Sequence, residues 1–315
     1  MPLSLRRGAV TAIVEEHADL VRLEVDGTAC IAYPRVTGPV QVGDEVLVNV
    51  QARELELGSG GFDILYANLT RGVGLAAEPG AHVMTLPYTP LQQAASYLEE
   101  EGPLADMLGG LPVVCCTLHS QVMPVCAALA GLRIVYVQVG GGALPVSLSD
   151  AVRVLRERGL VEVSVAAAPC IDGDVQAVNV YSALAWCAAH AAEVVVCSIG
   201  PGIVGTATFL GHGGIAAVEV ANAAVALGGR AVLVPRISGA DERPRHRGLS
   251  HHTEAVLQLC ADPPRVPSGD ELDAFGWRDA CAGLPLSHMG RGADDDPAFF
   301  AAAFAAGRLA RGLVA

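Results

Sequence analysis

The stretch Leu111-Pro-Val-Val-Cys-Cys-Thr-Leu118-His119-Ser-Gln-Val-Met-Pro-Val-Cys-Ala-Ala-Leu-Ala-Gly131-Leu-Arg-Ile-Val-Tyr-Val-Gln-Val139 decides the fold. It opens on a continuous apolar run, steps through the polar His119-Ser120-Gln121 into a helical run, and returns at Arg133 to a second apolar run. A strand that is apolar throughout must be covered on both faces, which is the mark of a parallel sheet wrapped by helices. Cys115 and Cys116 are adjacent and would point to opposite sides of such a strand. The same unit repeats downstream. Strands are expected at 111–118, 133–139, 161–167, 193–198 and 230–235, and helices at about 120–130, 147–159, 174–190 and 213–228. The region 111–315 is therefore expected to be a doubly wound, mainly parallel α/β sandwich, which binds ligands at the carboxyl ends of its strands.

That rule selects five loops: His119-Ser120-Gln121, Gly140–Pro145, Cys170-Ile-Asp172-Gly-Asp174, Gly200-Pro-Gly202-Ile-Val-Gly205-Thr206, and the segment from Arg236 to Thr253. Every one is polar or rich in glycine. The last holds Arg236, Arg243, Arg245, Arg247, His246, His251 and His252 within an otherwise charge-poor surrounding.

Working back toward the N-terminus, the periodicity changes. Residues 8–14, 20–25 and 28–33 alternate as half-buried strands do, with Asp26-Gly27 as a hairpin turn. Val42-Gly43-Asp44 turns into a further strand, and a glycine-rich turn is expected at 55–61. Residues 1–70 are expected to form a small β-barrel with a structural, oligomerising or ligand-binding role. Residues 71–110 read as a connector, with a helix from Thr89-Pro90 to about Glu101. Helices also follow Thr253 and cover about 298–312.

The totals narrow the function. Among 315 residues, 52% are hydrophobic and only 4% aromatic, so the core is aliphatic. A formal net charge of -13 argues against nucleic acid and against an anionic membrane surface as partners. All 20 basic residues are arginine, which excludes a Schiff-base lysine and the lysine of a Walker loop. Nine scattered cysteines with no CxxC pair point to a reduced, cytoplasmic chain without disulfides. Met1–Arg7 leads straight into strand pattern, so no signal peptide is expected. The runs 109–132 and 194–218 lack charge but are broken by Gly and Pro, and no membrane span is expected.

Gly200, Gly202 and Gly205 match G-x-G-x-x-G after a strand. The loop runs on before its helix, Pro201 removes a donor, and Arg236 rather than an acid ends the next strand, all against a dinucleotide site. A glycine-rich anion loop including Thr206 is one reading; tight strand–helix packing is the other. Asp172 and Asp174 can serve as general base or metal ligands, or Asp174 can cap the following helix. Ser250 reads as a helix N-cap, which puts His251 and His252 in the first turn, where the helix dipole favours the neutral ring. Neighbouring helical residues diverge by about 100°, so one of the two histidines is expected to reach a shared centre with His119 or His246. Four arginines facing few local acids favour a carboxylate or phosphate ligand, a subunit-interface network being the alternative.

The combination of Val42-Gly43-Asp44, Leu118–Gln121, Gly142–Pro145, Asp174–Ser182, Gly200–Thr206 and Arg247–Thr253 resembles the bacterial family known as domain of unknown function 3866. The resemblance covers nearly the whole chain. It implies no established activity and carries over no catalytic roles, and at Gly140–Gly142 the chain departs from an Asp-containing version of that loop.

The expectation is a cytoplasmic homodimer that binds a small anionic molecule, a phosphorylated metabolite or nucleotide. Gln121, Gly200, Gly202, Gly205, Thr206 and the four arginines would hold the ligand. His119, Asp172, Asp174, His251 and His252 would carry hydrolysis or group transfer. A divalent metal on His119, His246, His251 or His252 is a further option. The competing class is a non-enzymatic sensor with the barrel as partner interface.

Overall fold

The computed structural model describes residues 3–55, 61–72, 74–76 and 78–314. The glycine-rich turn expected at 55–61 lies largely outside the described residues. The chain divides into two compact units, Met1–Ala94 and Ala95–Ala315.

The first unit is a closed barrel of β1 (Leu5–Glu16), β2 (Val21–Val25), β3 (Thr28–Ala32), β4 (Glu45–Asn49) and β5 (Asp63–Asn68), in the order β1-β2-β3-β5-β4. Asp26 and Gly27 turn the β2–β3 hairpin with φ of 49° and 74°, the positive pair that matches strand twist. β1 pairs with both β2 and β4, and register shifts against β2 let it bend around the barrel. Closure leaves no free edge. Alternate residues Val21, Leu23, Val25, Val46 and Val48 fill the interior. At the Val42-Gly43-Asp44 turn, the buried Asp44 carboxylate accepts from Gln41 N, Asn68 Nδ2 and Arg71 Nε. The Arg71 guanidinium holds that carboxyl below its ordinary range.

The expected helix from Thr89 is not formed. Gln93–Ala95 instead pairs with Val83–Thr85 as a two-stranded ribbon, and only Leu98–Glu101 is helical. The turn residues Pro87 and Pro90 set up a hairpin, and a hairpin pairs backbone groups that a helix start would leave open.

The second unit is built on a six-stranded sheet: β6 (Pro112–Cys116), β7 (Ile134–Val139), β8 (Val163–Ala167), β9 (Val175–Ala177), β10 (Val194–Ile199) and β11 (Arg230–Val234). The order is β9-β8-β7-β10-β6-β11, and every pairing is parallel. α1 (Val122–Ala128), α2 (Asp150–Glu157) and the terminal α6 (Pro297–Arg311) pack on one face with Val114, Cys116 and Tyr136. α3 (Val180–Ala189) and α4 (Ala216–Ala226) cover the other with Val113, Cys115 and Val137. Cys115 and Cys116 thus divide between the two layers. β9 was not expected as a strand: 174–179 was read as the start of a helix. α3 begins at Val180, and its N-cap is Asn179, whose side chain accepts from Ser182 N at 3.0 Å. No helix among the described residues is long and apolar enough to cross a membrane.

The helices after β6 and β7 lie on one face and those after β9 and β10 on the other. The connections therefore part over the β7-β10-β6 region, the place where such sheets open a crevice at their carboxyl ends.

Candidate functional site

His119 ends the path of β6. Its Nδ1 donates to Ile199 O at the end of β10 (3.1 Å), and its Nε2 meets Ser149 Oγ at 2.6 Å. Ser149 also caps α2 by accepting from Val152 N. Burial pushes the His119 pKa down to about 4. His119 is therefore a neutral ring locked between two partners, and it ties three loops together. Gln121 is a second strut. Its amide oxygen accepts from Leu118 N and its amide nitrogen donates to Pro235 O, joining the ends of β6 and β11.

The glycine loops touch backbone to backbone. A Cβ on Gly213 would lie 1.8 Å from Gly141 O, and one on Gly200 would lie 2.0 Å from Ala143 O. Val204 N donates to Gly141 O and Thr206 N to Gly211 O, so those amides are spent within the protein. Gly202, with φ of 72°, turns the loop in a conformation that side chains resist. Beyond it, Gly205 bridges His212 across a small hairpin, and α4 starts only at Ala216. The loop thus leads into His212 through backbone contacts.

The segment from Arg236 to Thr253 folds as a tight hairpin, Ile237–Ser238 against Gly248–Leu249, that runs into α5 (His251–Leu259). Ser250 is the N-cap, accepting from His252 N. Arg236 is 2% exposed. It shares the buried carboxylate of Asp241 with Arg243: Arg243 donates through Nε (2.9 Å) and Nη2 (2.8 Å), and Arg236 through Nη2 (3.2 Å). Arg291 approaches the same carboxylate at 3.6 Å and Asp296 at 3.5 Å. Asp296 is held by Ser238 Oγ and Gly239 N. Three guanidinium groups therefore surround two carboxylates. The hydrogen bonds from Arg243 hold Asp241 far below the usual carboxylate range, and burial lowers Arg236 to about 10.

Around this core stand five histidines. The His212 and His252 rings stack at 3.7 Å, and His251 lies 4.5 Å from His252 and 5.7 Å from His212. His246 sits 4.8 Å from both His251 and His252, with Nδ1 on Ser250 Oγ at 2.7 Å. His288 stacks on Phe299 at 3.8 Å and pairs its Nδ1 with Ser120 Oγ. Burial, helped by Arg236, lowers His246 and His288 to about 3 and His252 to about 2. Burial also takes His212 to about 4, although the Phe209 backbone works slightly the other way. Parallel stacking of two imidazoles is sustainable because both rings are neutral.

The structure thus brings together Arg236, Arg243, His246, His251 and His252. Adjacent His251 and His252 were expected to diverge, yet both rings reach the centre, because His212 enters from a separate hairpin and meets both. Arg245 and Arg247 are exposed and form no ion pair among the described residues. Asp174 binds Arg156 (2.6 Å) and Ser164 N (2.8 Å) beside the start of β8, and does not cap a helix. Asp172 sits on the same loop. From β8 to β11 is four strand steps, roughly 19 Å at about 4.8 Å each, so the strand that carries these aspartates lies well across the sheet from the one that leads into Arg236. Sequence reasoning passed over His212, His288, Arg291 and the clamp role of Asp241. His212 carried a signal, a lone histidine inside the charge-free run 194–218; His288 and Arg291, in irregular chain, carried none.

No curated protein matches the chain. The model of the family described as "Protein of unknown function (DUF3866)" matches residues 29–274, from the barrel through α5. With more than half of its length matched and its arginine–histidine segment inside the match, the chain belongs to that family.

Proposed function

We propose that the protein binds a small molecule bearing a phosphate or carboxylate group at the Arg236–Arg291–His288 cluster, and that the adjacent neutral imidazoles act on it in hydrolysis or group transfer. One observation carries this reading: the cluster has more buried donors than acceptors. Arg236 Nε and His288 Nε2 are buried without a hydrogen-bond partner, and Arg291 Nε and Nη2 reach Asp296 and Asp241 only as ion pairs at 3.5 and 3.6 Å, without a hydrogen bond. Leaving such a group unmatched costs about 1–3 kcal/mol. An oxyanion supplies several acceptors at once and suits guanidinium groups in particular. His251 adds reactivity. Its Nδ1 donates to Arg245 O at 3.2 Å, which leaves the Nε2 lone pair directed into the cluster. Nine unpaired cysteines, eight of them buried, suit a reducing compartment.

The test is a thermal-shift and calorimetric titration of chelator-treated protein with inorganic phosphate, sulfate, a sugar phosphate, a nucleotide and a dicarboxylate. At least one raises the melting temperature in a concentration-dependent way, as preferential binding to the folded state requires. The effect is lost in Arg291→Gln and His288→Leu. Silence across all five anions refutes the reading.

A further inference from the structure

His212, His251 and His252 arrive from two separate elements, the hairpin after β10 and the first turn of α5. One ring nitrogen from each can be chosen so that all three lie within 4.8 Å of one another. Three of their ring nitrogens, both of His212 and Nε2 of His251, are buried outside the hydrogen-bonded net. His212 is 6% exposed, yet neither of its ring nitrogens makes a well-formed hydrogen bond. His251 is fixed by its Nδ1–H on Arg245 O, which settles the tautomer and presents a buried, unpartnered Nε2 lone pair. A backbone carbonyl behind the ring is the usual support of a metal-bound imidazole.

We infer that His212, His251 and His252 hold a divalent transition metal of the zinc class, with the fourth coordination position open. Imidazole nitrogen selects zinc, copper, nickel or iron over magnesium and calcium. Three protein ligands with an open position is the arrangement of catalytic rather than structural zinc. Tetrahedral coordination with Zn–N of about 2.1 Å sets the ligand nitrogens about 3.4 Å apart. The three rings must therefore draw together from their 4.8 Å spread. The hairpin that carries His212, exposed from 204 to 210, supplies that movement.

His252 is the contested ligand. Its Nδ1 lies 3.2 Å from Arg236 Nη1. While the guanidinium donates to Nδ1, the proton of the neutral ring sits on Nε2 and neither nitrogen can ligate. Coordination requires that Arg236 release His252. The released guanidinium then turns to whatever anion occupies the open position. The metal site rests on the oxyanion reading only for what fills that position.

The experiment uses the full chain, stripped with a chelator, in phosphate-free buffer. Zinc is titrated by calorimetry and cobalt(II) by visible absorption. One ion binds per chain, and cobalt shows the intense bands of tetrahedral nitrogen coordination. His212→Ala and His251→Ala weaken binding by more than about 100-fold, beyond the 10–100-fold that losing a supporting group costs. Arg236→Met tightens it, because both a competing donor and a positive charge are gone. His190→Gln, at a ring stacked on Trp186 away from the cluster, binds as the wild type does. Absence of stoichiometric binding, retention of affinity in both alanine variants, or an octahedral cobalt spectrum overturns the assignment. The wild-type spectrum and Arg236→Met decide the matter even if an alanine variant fails to fold. Phosphate binding by the stripped protein, measured separately, reports on the oxyanion site alone, so either idea can fail without the other.

Discussion

Asp241 holds two arginines with one carboxylate, and the site depends on it. Removing it leaves Arg236, 2% exposed, as an unpaired buried cation. Breaking a buried pair in this way costs about 3–5 kcal/mol, so Asp241→Ala is expected to lower the unfolding free energy by that amount in urea titration. Asp241→Asn, which keeps two acceptor lone pairs, is expected to lose less. The histidines make a second prediction at the same scale. His119, His212, His246, His252 and His288 all have pKa values pushed below 6.5, to about 4 or lower, chiefly by burial. Between pH 6.5 and 4 the unfolded chain takes up protons that the folded protein refuses. Stability is therefore complete above about pH 7 and falls as pH drops through that window. Each group contributes up to about 1.4 kcal/mol per pH unit. Melting temperatures between pH 7 and 4 should fall steeply. A flat profile would mean that these rings are charged or solvated in the folded protein.

The elements that place the cluster are loops closed on one another. Because a Cβ on Gly213 would meet Gly141 O at 1.8 Å, Gly213→Ala must push the hairpin away from β7. The expected result is a loss of metal or anion affinity larger than the loss of stability; equal losses would mean that the loop matters only to folding. Much of this level was legible from periodicity alone. Continuous apolar runs such as 111–118 and 193–198 marked a parallel sheet, and the carboxyl-end rule pointed to the loops at its strand ends. The failures have physical causes. Val175–Ala177 is only three residues long and sits at the sheet edge, too short to show a period against the helix that follows. The arginines at 236, 243, 245 and 247 looked equivalent in sequence. The hairpin separates them, turning Arg236 and Arg243 inward onto Asp241 and leaving Arg245 and Arg247 exposed. His288 and Arg291 join the site through a chain reversal near α6 that no local pattern encodes.

For the molecule as a whole, every residue of the cluster belongs to the unit Ala95–Ala315. A fragment comprising that unit is expected to keep the anion and metal affinities of the full chain to within a few-fold, provided its circular dichroism shows a folded sheet. Loss of binding in a folded fragment would assign part of the site to the barrel. The most direct test of the central claim is calorimetric titration of phosphate into the chelator-treated full chain, beside Arg291→Gln. Saturable one-to-one binding that weakens at least tenfold in the variant is the predicted result. Identical heats for the two proteins, or none for either, would contradict it.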